Sequence, residues 1–162
     1  MMYSVVLIAL WGFAPAISER PAWLTDYAQA RKLSQLERKP MVVFISSGVT
    51  GWNYVSREGR LDKDADRVLA QSYVCLYVDT ASDEGRRLAR AFELSRSRGI
   101  VISDSQGRLQ AFRHEGNLGH EDLLRYLDRF SKPDRVASHT ETDPPPLMSV
   151  PAMSAPVCTT RG

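Results

Sequence analysis

The sequence is short of the residues that most often carry chemistry. It has two cysteines, Cys75 and Cys158, and three histidines in 162 residues. So few, so widely scattered, exclude a disulfide-dense scaffold and a zinc site of standard spacing. Charge is nearly balanced at +2, from 21 basic and 19 acidic residues. The sequence therefore lacks the basic stripe of a nucleic-acid binder. No glycine-rich phosphate loop and no nucleophile elbow occurs. Asp62, Asp64 and Asp66 alternate, but Val68-Leu69-Ala70 follows where an EF-hand needs glycine and a closing glutamate. Helix capping explains those acids better. No cofactor and no metal is expected.

What remains is the composition of one ordinary domain, 43% hydrophobic and 25% charged. Residues 1–18 carry no charged side chain, and an apolar run from Val5 to Phe13 precedes Ala14-Pro15-Ala16. This is the length and cleavage-site pattern of a signal peptide, although the segment has no Lys or Arg before its apolar run. The rival reading is an uncleaved anchor, since about 18 apolar residues is the lower limit for a span. The protein is therefore expected to be exported, periplasmic or extracellular, and to meet a membrane only if this segment stays attached. From Lys132 onward lie Pro133, Pro144, Pro145, Pro146, Pro151 and Pro156 among Ser, Thr, Ala, Met and Val. Residues 132–162 are thus read as a disordered tail, with too little clustered apolar surface to offset ordering entropy. A polyproline II stretch around Pro144-Pro145-Pro146, docking a partner or spacing the domain, is the functional alternative.

Between these ends, residues 19–131 read as alternating elements. Tyr27, Ala30, Leu33 and Leu36 recur at three-residue steps, which predicts a helix from Leu24 to Arg38 with Thr25 as N-cap. Lys39-Pro40 ends it. Met41 to Ile45, Tyr73 to Val78 and Ile100 to Ile102 are short apolar runs of the kind buried on both faces of a sheet. Helices are predicted over Asp62 to Gln71, Ser82 to Leu94 and His120 to Phe130. A turn at Asp104-Ser105-Gln106-Gly107 joins the third strand to Leu109 to Phe112 as a hairpin. The fold class is α/β, a three-layer α/β/α sandwich around a mixed central sheet.

That order of elements resembles the thioredoxin-like superfamily. Lys39-Pro40-Met41-Val42-Val43-Phe44 resembles the approach to the first core strand in its exported members. Asp62 to Leu69 with Tyr73 to Asp79 is similar to their second helix and strand, and Asp104 to Arg108 to their hairpin turn. The resemblance spans Trp23 to Phe130. It implies a Cys-x-x-Cys pair after the first core strand, where a low-pKa thiolate attacks a disulfide that the second cysteine resolves. Here Val49 and Trp52 stand at those two places, and neither side chain can form a disulfide. The family's cis-proline is also missing, since Ser97-Arg98-Gly99 fills its place. Both departures lie in loops and leave the fold unthreatened.

The resemblance therefore implies a redox-inactive, thioredoxin-like module that binds a protein or peptide partner. Ligands of open α/β sheets sit beyond the carboxyl ends of the strands. The loop from Ser46 to Tyr54 is accordingly the candidate binding loop. Trp52 and Tyr54 would supply aromatic area, Gly48 and Gly51 backbone access, and Ser46, Ser47, Thr50 and Asn53 hydrogen bonds, a surface that suits an extended peptide or a glycan; Val49 lies among them and Arg98 beside them, its charge available to a carboxylate or phosphate. The bland alternative is that Trp52 merely fills space left by the redox centre. The alternative function is a thiol–disulfide oxidoreductase, or a related peroxide-handling redox enzyme, using Cys75 or Cys158 as a non-standard cysteine. Against it, Cys75 falls in a central strand, where a thiol behaves as a small hydrophobe, and Cys158 in the tail, where an intermolecular disulfide is an option. The run Arg86, Arg87, Arg90, Arg96 and Arg98 reads as a solvated helix face in preference to an anion site.

Overall fold

In the computed structural model, which describes residues 20–104, 109–132 and 140–142, six strands form one sheet in the order β1-β3-β2-β4-β5-β6. They are β1 (Trp23–Leu24), β2 (Met41–Ser46), β3 (Val74–Asp79), β4 (Gly99–Ser103), β5 (Gln110–Glu115) and β6 (Glu141–Thr142). The helices are α1 (Tyr27–Glu37), α2 (Lys63–Ser72), α3 (Asp83–Ala91) and α4 (His120–Phe130). β2 runs parallel to β3 and antiparallel to β4, and β4 runs antiparallel to β5. The mixed sheet of the α/β/α sandwich is thus present.

β2 and all but the last residue of β3 are buried, because helices cover both faces. On one face Ala65 and Leu69 of α2 and Leu123, Leu127 and Phe130 of α4 pack on Val42, Phe44, Cys75, Ile100 and Phe112. On the other, Ala30 of α1 and Ala89 of α3 meet Met41, Val43, Ile45, Leu76, Val78 and Val101. Alternate residues of each strand serve opposite faces, as the period-2 geometry of a strand demands. Asp62 caps α2 by accepting from the Asp64 amide at 3.3 Å, and Asp64 and Asp66 fall in the first turn of that helix, where its dipole favours acids.

Three expectations need correction. The first helix begins at Tyr27, and its N-cap is Asp26, which accepts from the Gln29 amide at 2.9 Å, where Thr25 was expected. The segment before it, Trp23–Leu24, is an edge strand paired in parallel with Cys75 and Leu76. Leu36 is 71% exposed. Steps of three residues precess by roughly 60° on an α-helix, so Leu36 faces away from Tyr27, and Ala30 and Ser34 are the buried pair. The helix after β3 stops at Ala91, short of Leu94, where Glu93 turns left-handed at φ 59°.

The third correction is in the tail. Glu141–Thr142 pair in parallel with Phe112 and Arg113, and Thr140 Oγ1 donates to the Gln110 carbonyl at 2.9 Å. An edge strand has unpaired backbone groups to offer, and two residues of polar, β-branched or extended character suffice to take them. The expected signal segment, the hairpin-turn residues 105–108, the stretch 133–139 and residues 143–162 with Cys158 lie outside the described residues. Among the described residues no helix is long and apolar enough to cross a membrane.

Losing the Asp26 cap should cost about 1 kcal/mol. Asp26→Ala is expected to lower the denaturant midpoint accordingly, whereas Thr25→Ala should stay within about 0.5 kcal/mol of the parent. Urea unfolding of the two variants, followed by circular dichroism, checks the assignment; the reverse order would restore Thr25 as the cap.

Candidate functional site

The chain leaves β2 at Ser46 and passes through Ser47, Gly48, Val49 and Thr50 into a short 3-10 helix, Gly51–Val55. Two sets of contacts hold this loop. On one side the Tyr77 hydroxyl, at the carboxyl end of β3, donates to the Gly48 carbonyl at 2.6 Å. The Gly48 amide donates to Asp79 Oδ1 at 3.0 Å, and that oxygen also accepts from the Ala81 amide at 2.9 Å. On the other side the Leu118 amide donates to the Val55 carbonyl at 3.0 Å and the Arg57 amide to the Leu118 carbonyl at 2.8 Å.

Both loop glycines are required. Gly48 sits at φ 94°, a region that side-chain-bearing residues rarely enter. A Cβ on Gly51 would come within 1.9 Å of the Tyr77 hydroxyl. Small size at residue 51 therefore lets Tyr77 reach Gly48.

Trp52 lies between two other rings. It stacks on Trp23 of β1 with centroids 5.5 Å apart and an interplanar angle of 21°. It also meets Tyr77 edge-on at 5.2 Å and 81°. Trp23 continues onto Phe44 in the core at 5.0 Å. Trp52 thus does fill space against the core, and it does more. A cleft of about 530 Å³ opens beside it, lined by Trp23, Thr25, Tyr27, Val49, Trp52 and Tyr77, and closed by Val78, Asp79 and the first turns of α3 at Ser82, Glu84, Gly85 and Leu88. Val49 stands at its rim, 89% exposed.

The predicted loop residues are divided by this arrangement. Val49 and Trp52 line the cleft; Ser47 and Thr50 are exposed on the loop. Tyr54 points to the opposite side, where the Arg98 guanidinium lies 5.9 Å from its ring centre and donates to Asn117 Oδ1 at 3.1 Å. Arg98 is beside the loop and does not reach the cleft lining. Sequence reasoning left Trp23, Tyr27 and Tyr77 out of the site. The signal for Tyr77 was a tyrosine at a buried strand's carboxyl end, whose hydroxyl must find a partner.

Among the described residues the cleft lining holds no cationic side chain. Asp79 and Glu84 are its charged lining residues, and Arg86 is turned to Asp83 and to the carbonyls of Thr80 and Ala81. Burial, then the nearby Asp79 carboxylate, push the Tyr77 phenol up to about 12. Cys75 lies in the core under α2, outside the cleft lining, and is 3% exposed. Desolvation drives its thiol far above the ordinary range, so the nucleophilic thiolate is not populated at neutral pH. Among the described residues no cluster of His, Cys, Asp or Glu could hold a metal ion.

Strand order, crossing helices and a loop at the end of β2 define a thioredoxin-like fold, and solved structures agree. The chain is similar to a thioredoxin from Thermus thermophilus, with TM-score 0.56 and 20% identity over 67% of this chain and 85% of that one. It is also similar to a DsbH oxidoreductase, with TM-score 0.54 and 15% identity over 77% and 94% of the two chains. No protein-family model and no curated protein matches the sequence.

Gly51→Ala forces Tyr77 off Gly48 and should destabilise the fold by about 1–3 kcal/mol; the thermal midpoint checks this, and an unchanged midpoint would remove Gly51 from the argument. The raised Tyr77 phenol also sets a pH dependence. Its contribution is complete below the ordinary tyrosine value of 10.0 and is lost as pH rises through about 12, because the unfolded chain gives up that proton first. Stability is expected to fall across that window, with a shallower fall in Tyr77→Phe. Equal slopes in the two proteins would contradict the assignment.

Proposed function

We propose that this thioredoxin-fold domain is an exported, redox-inactive module that binds protein or peptide segments in the aromatic cleft beside its former catalytic loop. One observation carries the reading. Trp52, at the place of the family's second cysteine, joins Trp23 and Tyr77 in the wall of an open cleft large enough for several residues. Aromatic walls with a few backbone groups at the rim suit an extended, apolar peptide, because tryptophan and tyrosine supply large contact area at low entropic cost. The uncharged segment 1–18 supports export. The oxidoreductase alternative is weakened by the buried Cys75 and by the sulfur-free loop.

Selection of displayed random peptides on the immobilised chain tests the proposal. Enriched peptides should be apolar or aromatic and lose roughly thirtyfold in affinity on Trp52→Ala, the ratio for a central aromatic worth about 2 kcal/mol. Val49→Asp, at an exposed rim position that leaves the core intact, should weaken them as well. Insulin-disulfide reduction should remain at background. Cysteine-dependent turnover, or selected peptides indifferent to both substitutions, would overturn the proposal.

A further inference from the structure

We propose that the peptide bound in the aromatic cleft carries a basic side chain, lysine or arginine, among its apolar residues, and that Asp79 and Glu84 receive it. This rests on the cleft being a peptide site and adds the charge its ligand must bring.

The cleft's charges are of one sign, and they are not spent. Glu84 is exposed in the first turn of α3 and has no hydrogen-bond or ion-pair partner among the described residues. Neither cation of that turn neutralises it. Arg86 is held by Asp83 and by the Thr80 and Ala81 carbonyls, and Arg87 lies outside the lining. Asp79 is braced differently. Its Oδ1 accepts from the Gly48 and Ala81 amides at 3.0 and 2.9 Å, while its Oδ2 has no hydrogen-bond partner among the described residues. Those two bonds hold the carboxylate still, and uncharged amides leave its charge in place. The amino end of α3 does not reverse the sign. Ser82 Oγ already takes the Gly85 amide at 3.0 Å, and Asp83 and Glu84 occupy the first turn, so an anionic ligand would meet carboxylates first.

The rings point the same way. Trp23, Tyr27, Trp52 and Tyr77 line the cleft with these two acids, and aromatic faces attract cations as well as apolar groups. A wholly apolar peptide would cover Asp79 and Glu84 and give them nothing in return for lost water, which is unfavourable. A long basic side chain answers both walls at once. Its methylene stem lies against apolar surface while the charged head reaches a carboxylate, and a charge-assisted hydrogen bond forms there.

Peptides selected from a displayed random library on the immobilised full chain supply the probes. Enriched sequences should hold lysine or arginine beside apolar residues. Synthetic copies in which arginine becomes citrulline, or lysine becomes norleucine, keep the apolar stem and lose the charge. They should bind the parent chain roughly tenfold more weakly, the ratio carried by one charge-assisted hydrogen bond. Asp79→Asn keeps an oxygen for the two amides, and Glu84→Gln alters an exposed side chain. The double variant should bind the charged peptides roughly tenfold more weakly, and the neutral copies at least as well as the parent does. Added salt should weaken the charged peptides on the parent and leave the double variant unmoved. Glu84→Gln alone should show part of the loss, which decides the matter if Asp79→Asn disturbs the loop. Charged peptides indifferent to both variants, or neutral copies that bind the parent as well as the charged ones, would overturn the inference. So would self-association of the chain that Glu84→Gln abolishes, which would give the cleft to a second copy. If enriched peptides lack a basic residue yet weaken on Trp52→Ala, this inference fails and the peptide-binding reading stands. If none is enriched, both fail.

Discussion

A buried phenol at the end of β3 governs the geometry of the site. A hydroxyl taken out of water without a partner costs roughly 1–3 kcal/mol, and Tyr77 meets that demand with the Gly48 carbonyl. The bond dictates the rest of the loop. Gly48 must accept a left-handed backbone, and Gly51 must present no Cβ. The ring of Trp52 then falls between Trp23 and Tyr77. Each such ring pair adds about 0.5–1.5 kcal/mol beyond the area it buries, so a loop that could have been mobile is held as a wall.

The loop's chemistry and the fold's stability are separable, and the molecule shows why. Most of the core comes from β2, β3 and β4, sandwiched between α1 with α3 and α2 with α4, with Val55, Leu94 and Leu118 added from the connecting loops. After β2, Val49 is exposed and Trp52 packs only against the margin of that core. The fold is therefore shared with thioredoxin and DsbH structures at 15–20% identity, while the function must be argued from the site. The remaining core thiol, Cys75, is where sulfur serves packing, with the Leu69 carbonyl 3.8 Å from its Sγ.

The central strands were legible because runs such as Met41 to Ile45 have no polar residue to place on either face. The last helix was legible to the residue, since Leu123, Leu127 and Phe130 fall on one side at helical spacing. Trp23–Leu24 was not, because a two-residue strand has no period to detect and its pairing with Cys75 and Leu76 is a tertiary fact. Residues 141 and 142 escaped for the same reason: their surroundings in sequence read as disorder, and only the free edge of β5 gives them a partner. The site was half legible. Position along the fold pointed to the loop, but the cleft draws on four separated segments, around Trp23, Trp52, Tyr77 and Gly85, and spacing in sequence carries no trace of that meeting.

The loop has two sides, and they are not equivalent as binding surfaces. Toward α4, Arg98 is already engaged by Asn117 and lies against the Tyr54 ring. A ligand there would have to displace contacts the protein has made for itself, and an exposed ion pair would return little, typically below about 1 kcal/mol. Toward α3, the rings of Trp23 and Trp52 contact each other and the core on one side and leave apolar surface facing the cleft on the other. Burial of that surface gains about 25 cal/mol for each Å² without breaking a bond. Trp52 thus places apolar surface at the cleft, on the side away from Arg98.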